Sequence, residues 1–313
     1  MTDRRLGGDG IDMRSHLRQL AVVVLMTFAV GGVQGCGFYY SLQAKNRLNE
    51  GVRTFNKGKY EEARDLFKEA VDLDPDNVNA RFFYAMALNA EFEKSLNSQD
   101  VDKSGAITLG ENAIKAFEDV IAKNPEPKFV DQATAFIAKA YKSLRDVYSP
   151  DREMPKVLEM RAKYLEMIEK RANLPGQSNR VKAQMYYTIA DDYWREGHSM
   201  LEHFAKKDPA NPAALPTYPD VPEADRAKIM AIVAKSKGFM EQAIAADPDY
   251  PEPYLGQKLL VMDQMNATND LAKKDAFRPE KDKWDELYRD KLSAAQAAEA
   301  AAATPTAGGG ATK

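Results

Sequence analysis

KNRLNEGVRTFNKGKYEEARDLFKEAVDLDPDN, Lys45 to Asn77, decides the fold. Two stretches with apolar residues at helical spacing flank Lys57-Gly58-Lys59, a turn centred on glycine, and the second stretch stops at Asp74-Pro75-Asp76-Asn77. The segment therefore reads as helix, turn, helix. Gly51 and Ala63 are small, as required where two antiparallel helices cross closely. Tyr60 and Phe67 are large enough to fill the space between units, and Pro75 cannot continue a helix.

The same logic recurs downstream. Phe82 to Asn89 with AIKAFEDVIAKNPEP form a second pair, and QATAFIAKAYKSL with MPKVLEMRAKYLEMIEKR a third. VKAQMYYTIADDYWREG with DRAKIMAIVAKSKGFMEQAIAADPDY form a fourth, joined through the Pro-rich DPANPAALPTYPDVP; YPEPYLGQKLLVMDQM starts a fifth, incomplete unit, and KDKWDELYRDKL caps the stack. Gly51, Gly58, Tyr60, Ala63, Phe67, Ala70 and Pro75 closely resemble the signature of the tetratricopeptide repeat (TPR), and the resemblance extends over residues 40–292. It implies an all-α fold, a TPR-like superhelical solenoid of about four to five helix pairs.

Upstream of the repeats, Arg14, His16 and Arg18 precede the apolar run LAVVVLMTFAVGGV, which ends in VQGC with Gly35 immediately before Cys36. VQGC resembles the lipobox of bacterial lipoproteins. The resemblance implies a signal peptide over residues 1–35, a diacylated Cys36, and a domain over 36–292 held outside the cytoplasm on a bacterial membrane, the outer membrane being favoured. Asp3, Asp9 and Asp12 are out of place in a positive leader, so translation is expected to start at Met13. An uncleaved signal-anchor helix over Leu20 to Tyr40 is the alternative. Residues 293–313 are an Ala-, Thr- and Gly-rich tail of low complexity.

The small residues of the first pair, Gly51 and Ala63, are twelve apart, whereas Ala85 and Ala113 of the second are twenty-eight apart, so about sixteen residues are inserted. Most of that insertion is DVDKSGAITLGE, Asp100 to Glu111, which resembles the calcium loop of an EF-hand. The resemblance implies one structural Ca2+. Side-chain oxygens would come from Asp100, Asp102 and Ser104, the backbone carbonyl from Ala106, a water-mediated contact from Thr108 and two carboxylate oxygens from Glu111, with Gly105 at the bend. An acidic, solvated connection built of ordinary turn formers is the other reading of the same residues.

The remaining chemistry points away from catalysis. Net charge is −3, with 44 Lys+Arg interleaved among 47 Asp+Glu, which leaves no electrostatic footprint for nucleic acid. One cysteine and three histidines exclude a disulfide framework and a cysteine-based zinc site. His198 and His203, five apart, fall on different faces of a helix and read as a solvated helix end. No phosphate-cradling glycine loop and no nucleophile elbow is present, so an enzyme is not expected.

The resemblance instead implies a scaffold for protein partners in a cell-envelope complex. Mapping onto the first helices of the pairs sends Leu48, Phe55, Phe82, Met86, Tyr187, Trp194 and Arg195 into a partner groove, with several of them equally readable as core. No pair of cations aimed at a peptide carboxylate is evident in that groove. The alternative is a transport-associated lipoprotein that holds a small ligand in the cleft between Tyr187 and Trp194.

Overall fold

A computed structural model describes residues 39–98, 102–123, 126–207, 209–211, 216–219, 221–268 and 270–303. The leader, Met13, Cys36 and the last ten residues lie outside the described residues. No helix among the described residues is long and apolar enough to cross a membrane.

The described residues form ten helices. After α1 (39–55) come α2 (Tyr60–Leu73), α3 (Val78–Leu96), α4 (Lys103–Lys123), α5 (Pro127–Val147), α6 (Pro150–Ala172), α7 (Asn179–Glu202), α8 (Glu223–Ala246), α9 (Glu252–Ala267) and α10 (Leu271–Ala303). The first eight match the four expected pairs, α9 is the expected start of a fifth unit and α10 contains the expected capping segment; the fold is all-α and TPR-like. The chain divides into two compact units, one ending at Asn124 and one beginning at Pro125.

Helix starts and stops follow local chemistry. Gly58 takes φ +74° in the α1–α2 turn, a conformation cheap only for glycine. The Asn77 side chain caps α3 by accepting from the Ala80 N–H, and the Ser178 side chain caps α7 by accepting from the Val181 N–H. Proline stands in the first turn of α5, α6 and α9, where its missing N–H is not needed.

In the N-terminal unit α2 packs on α3 and α3 on α4, the nearest-neighbour order of a helical solenoid. Ala63, Phe67 and Ala87 are its central cluster, with Leu48, Val52 and Phe55 of α1 laid against them. A Cβ on Gly51 would lie 2.5 Å from the Phe67 ring, so only glycine lets α1 approach α2 this closely. Phe67 stacks on Phe83 at 5.4 Å, and Phe82 meets Phe117 edge-on at 5.9 Å.

In the C-terminal unit each helix from α5 to α10 packs on the next, and α7 also touches α9 directly. Leu201, Ile229, Val233, Met240 and Leu260 lie at its centre. Salt bridges fasten successive helices: Arg171 to Asp131 across α5 and α6 at 2.6 Å, Arg161 to Glu196 across α6 and α7 at 2.8 Å, and Lys258 to Asp285 across α9 and α10 at 2.6 Å. The Pro-rich link between α7 and α8 is pinned at its ends, because the Lys206 N–H donates to the Thr217 carbonyl at 2.8 Å and the Thr217 N–H returns the bond at 2.9 Å.

Two boundaries differ from the sequence reading. The sixteen extra residues of the second pair do not form a long loop: α3 and α4 have 19 and 21 residues against 14 in α2. The cause lies in the spacing of Ala106, Gly110, Ala113, Phe117 and Val120, all buried on one stripe of α4, which continues helical periodicity back through the supposed insertion. In the same way α10 runs through the alanines to Ala303, residues with high helix propensity and no breaker.

Candidate functional site

Among the described residues the proposed calcium ligands do not converge on one point. Asp100 lies outside the described residues, and from Lys103 onward the segment is helix. The Ala106 N–H donates to the Asp102 carbonyl at 2.8 Å, and Thr108 Oγ1 donates to the Ser104 carbonyl at 3.0 Å. At 1.5 Å rise per residue, Asp102 and Glu111 stand about 13 Å apart along the axis, too far to share one ion. In this conformation the residues do not fit a calcium loop. Gly105 has another use: a Cβ there would lie 2.5 Å from Asp102 Oδ2, so its absence lets the carboxylate fold back over the first turn. Among the described residues no group of three or more His, Cys, Asp or Glu is gathered to hold a metal.

The residues assigned to the partner groove have separate fates. Leu48 and Phe55 lie against the core of the N-terminal unit, and Phe82 is buried. Met86 is half-buried on α3. In the C-terminal unit Tyr187 and Trp194 pack against the core. Tyr187 also meets Tyr250 edge-on at 5.9 Å. Burial pushes the Tyr250 hydroxyl up to about 12, with Glu252 and Tyr187 adding to the effect. Arg195 alone is exposed, paired with Asp191 at 2.7 Å. These seven are mostly core, because the first helices turn their large side chains into the pairs.

An open groove does exist in the N-terminal unit, on other residues. It encloses about 480 Å³, with Lys68, Val71 and Asp72 of α2 on one wall, Arg81, Tyr84 and Leu88 of α3 as the floor, and Asn112, Lys115, Ala116 and Asp119 of α4 opposite. That volume falls within the range of ligand pockets. Lys68 is paired with Asp72 at 2.8 Å, and Arg81 with Asp119. Arg81 Nε also donates to the Pro75 carbonyl at 2.7 Å. Lys115 remains as the one groove cation with no carboxylate partner among the described residues, and the Asn112 amide one turn earlier is equally uncommitted. Beside them lie the Leu88, Val71 and Ala116 side chains, so a cation and an amide overlook apolar surface. Sequence reasoning missed this groove by looking at the first helices. The signal was the length of α4, which carries Asn112 and Lys115 along α3.

The C-terminal unit contains the opposite arrangement, a polar cluster closed over by helices. Trp194 and His198 of α7 stack at 5.1 Å, and His198 Nδ1 lies 3.0 Å from Asp263 Oδ1 of α9. Asp263 is only 3% exposed, which makes it the most deeply buried carboxylate among the described residues. Burial pushes its carboxyl up, while His198 and the Trp194 indole N–H pull the other way. Asp263 Oδ2 and Trp194 Nε1 nevertheless make no well-aligned hydrogen bond. One turn on, Glu202 accepts from the Tyr218 hydroxyl, whose own dissociation is held up by burial and by that carboxylate. His198 is thus part of an α7–α9 contact rather than a solvated helix end, while His203 Nδ1 turns to the Ser199 carbonyl at 2.7 Å.

No protein-family model matches the chain, and no curated protein does. Solved structures with partial likeness include the MamA protein, 12% identical with a TM-score of 0.40, covering 80% of this chain and 92% of that one. A thermophilic TPR protein of Thermus thermophilus is 14% identical with a TM-score of 0.34, covering 80% and 98%. The TPR2AB domain of yeast Sti1 in complex with an HSP90 peptide is 17% identical with a TM-score of 0.26, covering 80% and 98%.

Proposed function

We propose that this chain is a membrane-tethered, extracytoplasmic TPR-type scaffold that grips a segment of a partner protein in the α2–α3–α4 groove. The observation that carries the reading is the groove's uncommitted polar pair: Lys115 and Asn112 line it, exposed, beside apolar surface, whereas every other charge in the groove is already neutralised by a neighbour. An extended segment with an acidic group and an adjacent apolar side chain matches that pattern. The tether is supported by the sequence alone, the apolar run before VQGC and the cysteine at position 36. Tyr187 and Trp194 favour no small-ligand cleft, since both rings lie against core.

The test is a photo-crosslinking residue at Asn112, introduced in the native host. A stoichiometric protein adduct that disappears with Lys115→Glu, while circular dichroism stays unchanged, is the expected result. Adducts independent of Lys115, or a retained small molecule in native mass spectrometry, would overturn the assignment. Lys115 is exposed, so Lys115→Ala is expected to change stability by no more than about 0.5 kcal/mol.

A further inference from the structure

The first described turn of α1 has a composition that packing does not explain. Tyr39, Tyr40 and Leu42 are 57, 49 and 49% exposed, three of the six most exposed large apolar side chains among the described residues. Each residue advances about 100° around a helix, so these side chains leave the axis over an arc of about 160°. They are also confined to a single turn. The two rings meet edge-on at 6.0 Å, and Gln43 Nε2 holds the Tyr39 hydroxyl at 2.7 Å.

Lys45, one turn further, is exposed and has no carboxylate partner among the described residues. The next cation, Arg47, is instead paired with Glu50 at 3.0 Å and Glu69 at 2.9 Å. Along the axis the order is therefore aromatic and aliphatic, then a free ammonium, then neutralised charge. That is the order of environments met in leaving a bilayer: Tyr rings belong at headgroup depth, and an ammonium just above them meets lipid phosphate. The chain outside the described residues ends immediately before this turn, with Cys36 three residues from Tyr39 and the apolar run Leu20 to Val33 before that.

We infer that the first turn of α1 is a membrane seat, in which Tyr39, Tyr40 and Leu42 enter the headgroup layer of an anionic bilayer end-on and Lys45 contacts lipid phosphate. The inference rests on the tether proposed above, and holds whether the tether is a lipidated Cys36 or an anchor helix. Confinement to one turn fits a helix end dipping into an interface, whereas a helix lying flat on one would repeat its apolar residues along its length.

The experiment uses the full chain in vesicles of phosphatidylethanolamine and phosphatidylglycerol. Tyr40→Trp is compared with Asn56→Trp, just past the opposite end of α1, both read against the parent fluorescence of Trp194 and Trp284. Lipids brominated near the carbonyl are expected to quench the tryptophan at 40 at least about twofold more than that at 56, with a blue shift. If the chain floats with vesicles but the two positions are quenched equally, the seat is wrong and the tether stands. If the chain does not float, the tether is wrong and the seat falls with it. A blue-shifted tryptophan at 40 that bromine does not reach would mean that protein covers this turn, a second copy included, and would also overturn the seat.

Discussion

The N-terminal and C-terminal units are built from the same helix pair, yet they treat polar side chains in opposite ways. In the first, α2 and α4 stay apart over α3, and Lys115 and Asn112 are left facing an open groove. In the second, α7 and α9 touch, and the polar groups caught between them are closed over until Asp263 is nearly inaccessible. A helix contact that skips one neighbour converts surface polarity into buried polarity. Where it is missing, the same residue types remain free to bind something else.

The comparison can be broken most forcefully at the core. Phe67 is fully buried and stacked on Phe83. Phe67→Ala is expected to cost about 3–5 kcal/mol, read as a lower urea midpoint for the transition that carries the N-terminal unit. Next comes a matched pair of glycines. A Cβ at Gly51 would strike the rigid Phe67 ring at 2.5 Å, whereas one at Gly256 would meet the flexible end of Met240 at 2.2 Å. Gly51→Ala should cost about 1–3 kcal/mol, and Gly256→Ala less, because a thioether can swing aside where a ring cannot. Equal losses in thermal unfolding would show that both neighbours are equally fixed.

A smaller effect is expected from Asp263. Because burial raises its carboxyl above the ordinary value of 3.8, the folded state binds a proton that the unfolded state releases. Its contribution to stability is therefore greatest below that ordinary value and declines as pH rises through the raised one. Asp263→Asn should remove this decline, so the difference in melting temperature between variant and parent should move in the variant's favour as pH rises. A constant difference across that range would mean that His198 and Trp194 fully offset the burial. The smallest effect belongs to calcium: added at roughly millimolar concentration, it should leave the melting temperature unchanged. A rise that Glu111→Gln abolishes would show that the first turns of α4 unwind into the loop that Asp100 to Glu111 resembles.

Much of the fold was legible because the signals were local. Gly58 at a turn, Pro75 after a helix and the recurrent small–aromatic spacing each report on a few neighbouring residues, and four pairs and the start of a fifth followed from them. DVDKSGAITLGE was harder to read, because two patterns overlap in it. Its oxygen-bearing residues match a metal loop while Ala106, Gly110, Ala113 and Phe117 carry a helical stripe, and the packing of that stripe on α3 is what selects helix in this structure. The groove was illegible for the same cause. Whether Lys115 is paired depends on which carboxylates α2 and α3 bring near it, and Asp72 and Asp119 were already taken by Lys68 and Arg81.

The paired backbone bonds between Lys206 and Thr217 have a practical consequence. They hold the two ends of residues 207–216 side by side, so the fold sees a closed clasp and not the length of chain beyond it. Doubling that length would add only about 0.6 kcal/mol of closure entropy. The clasp is thus a natural splice point: a fluorescent reporter or an affinity module inserted between its ends is expected to leave the packing of α7 on α8 as it is.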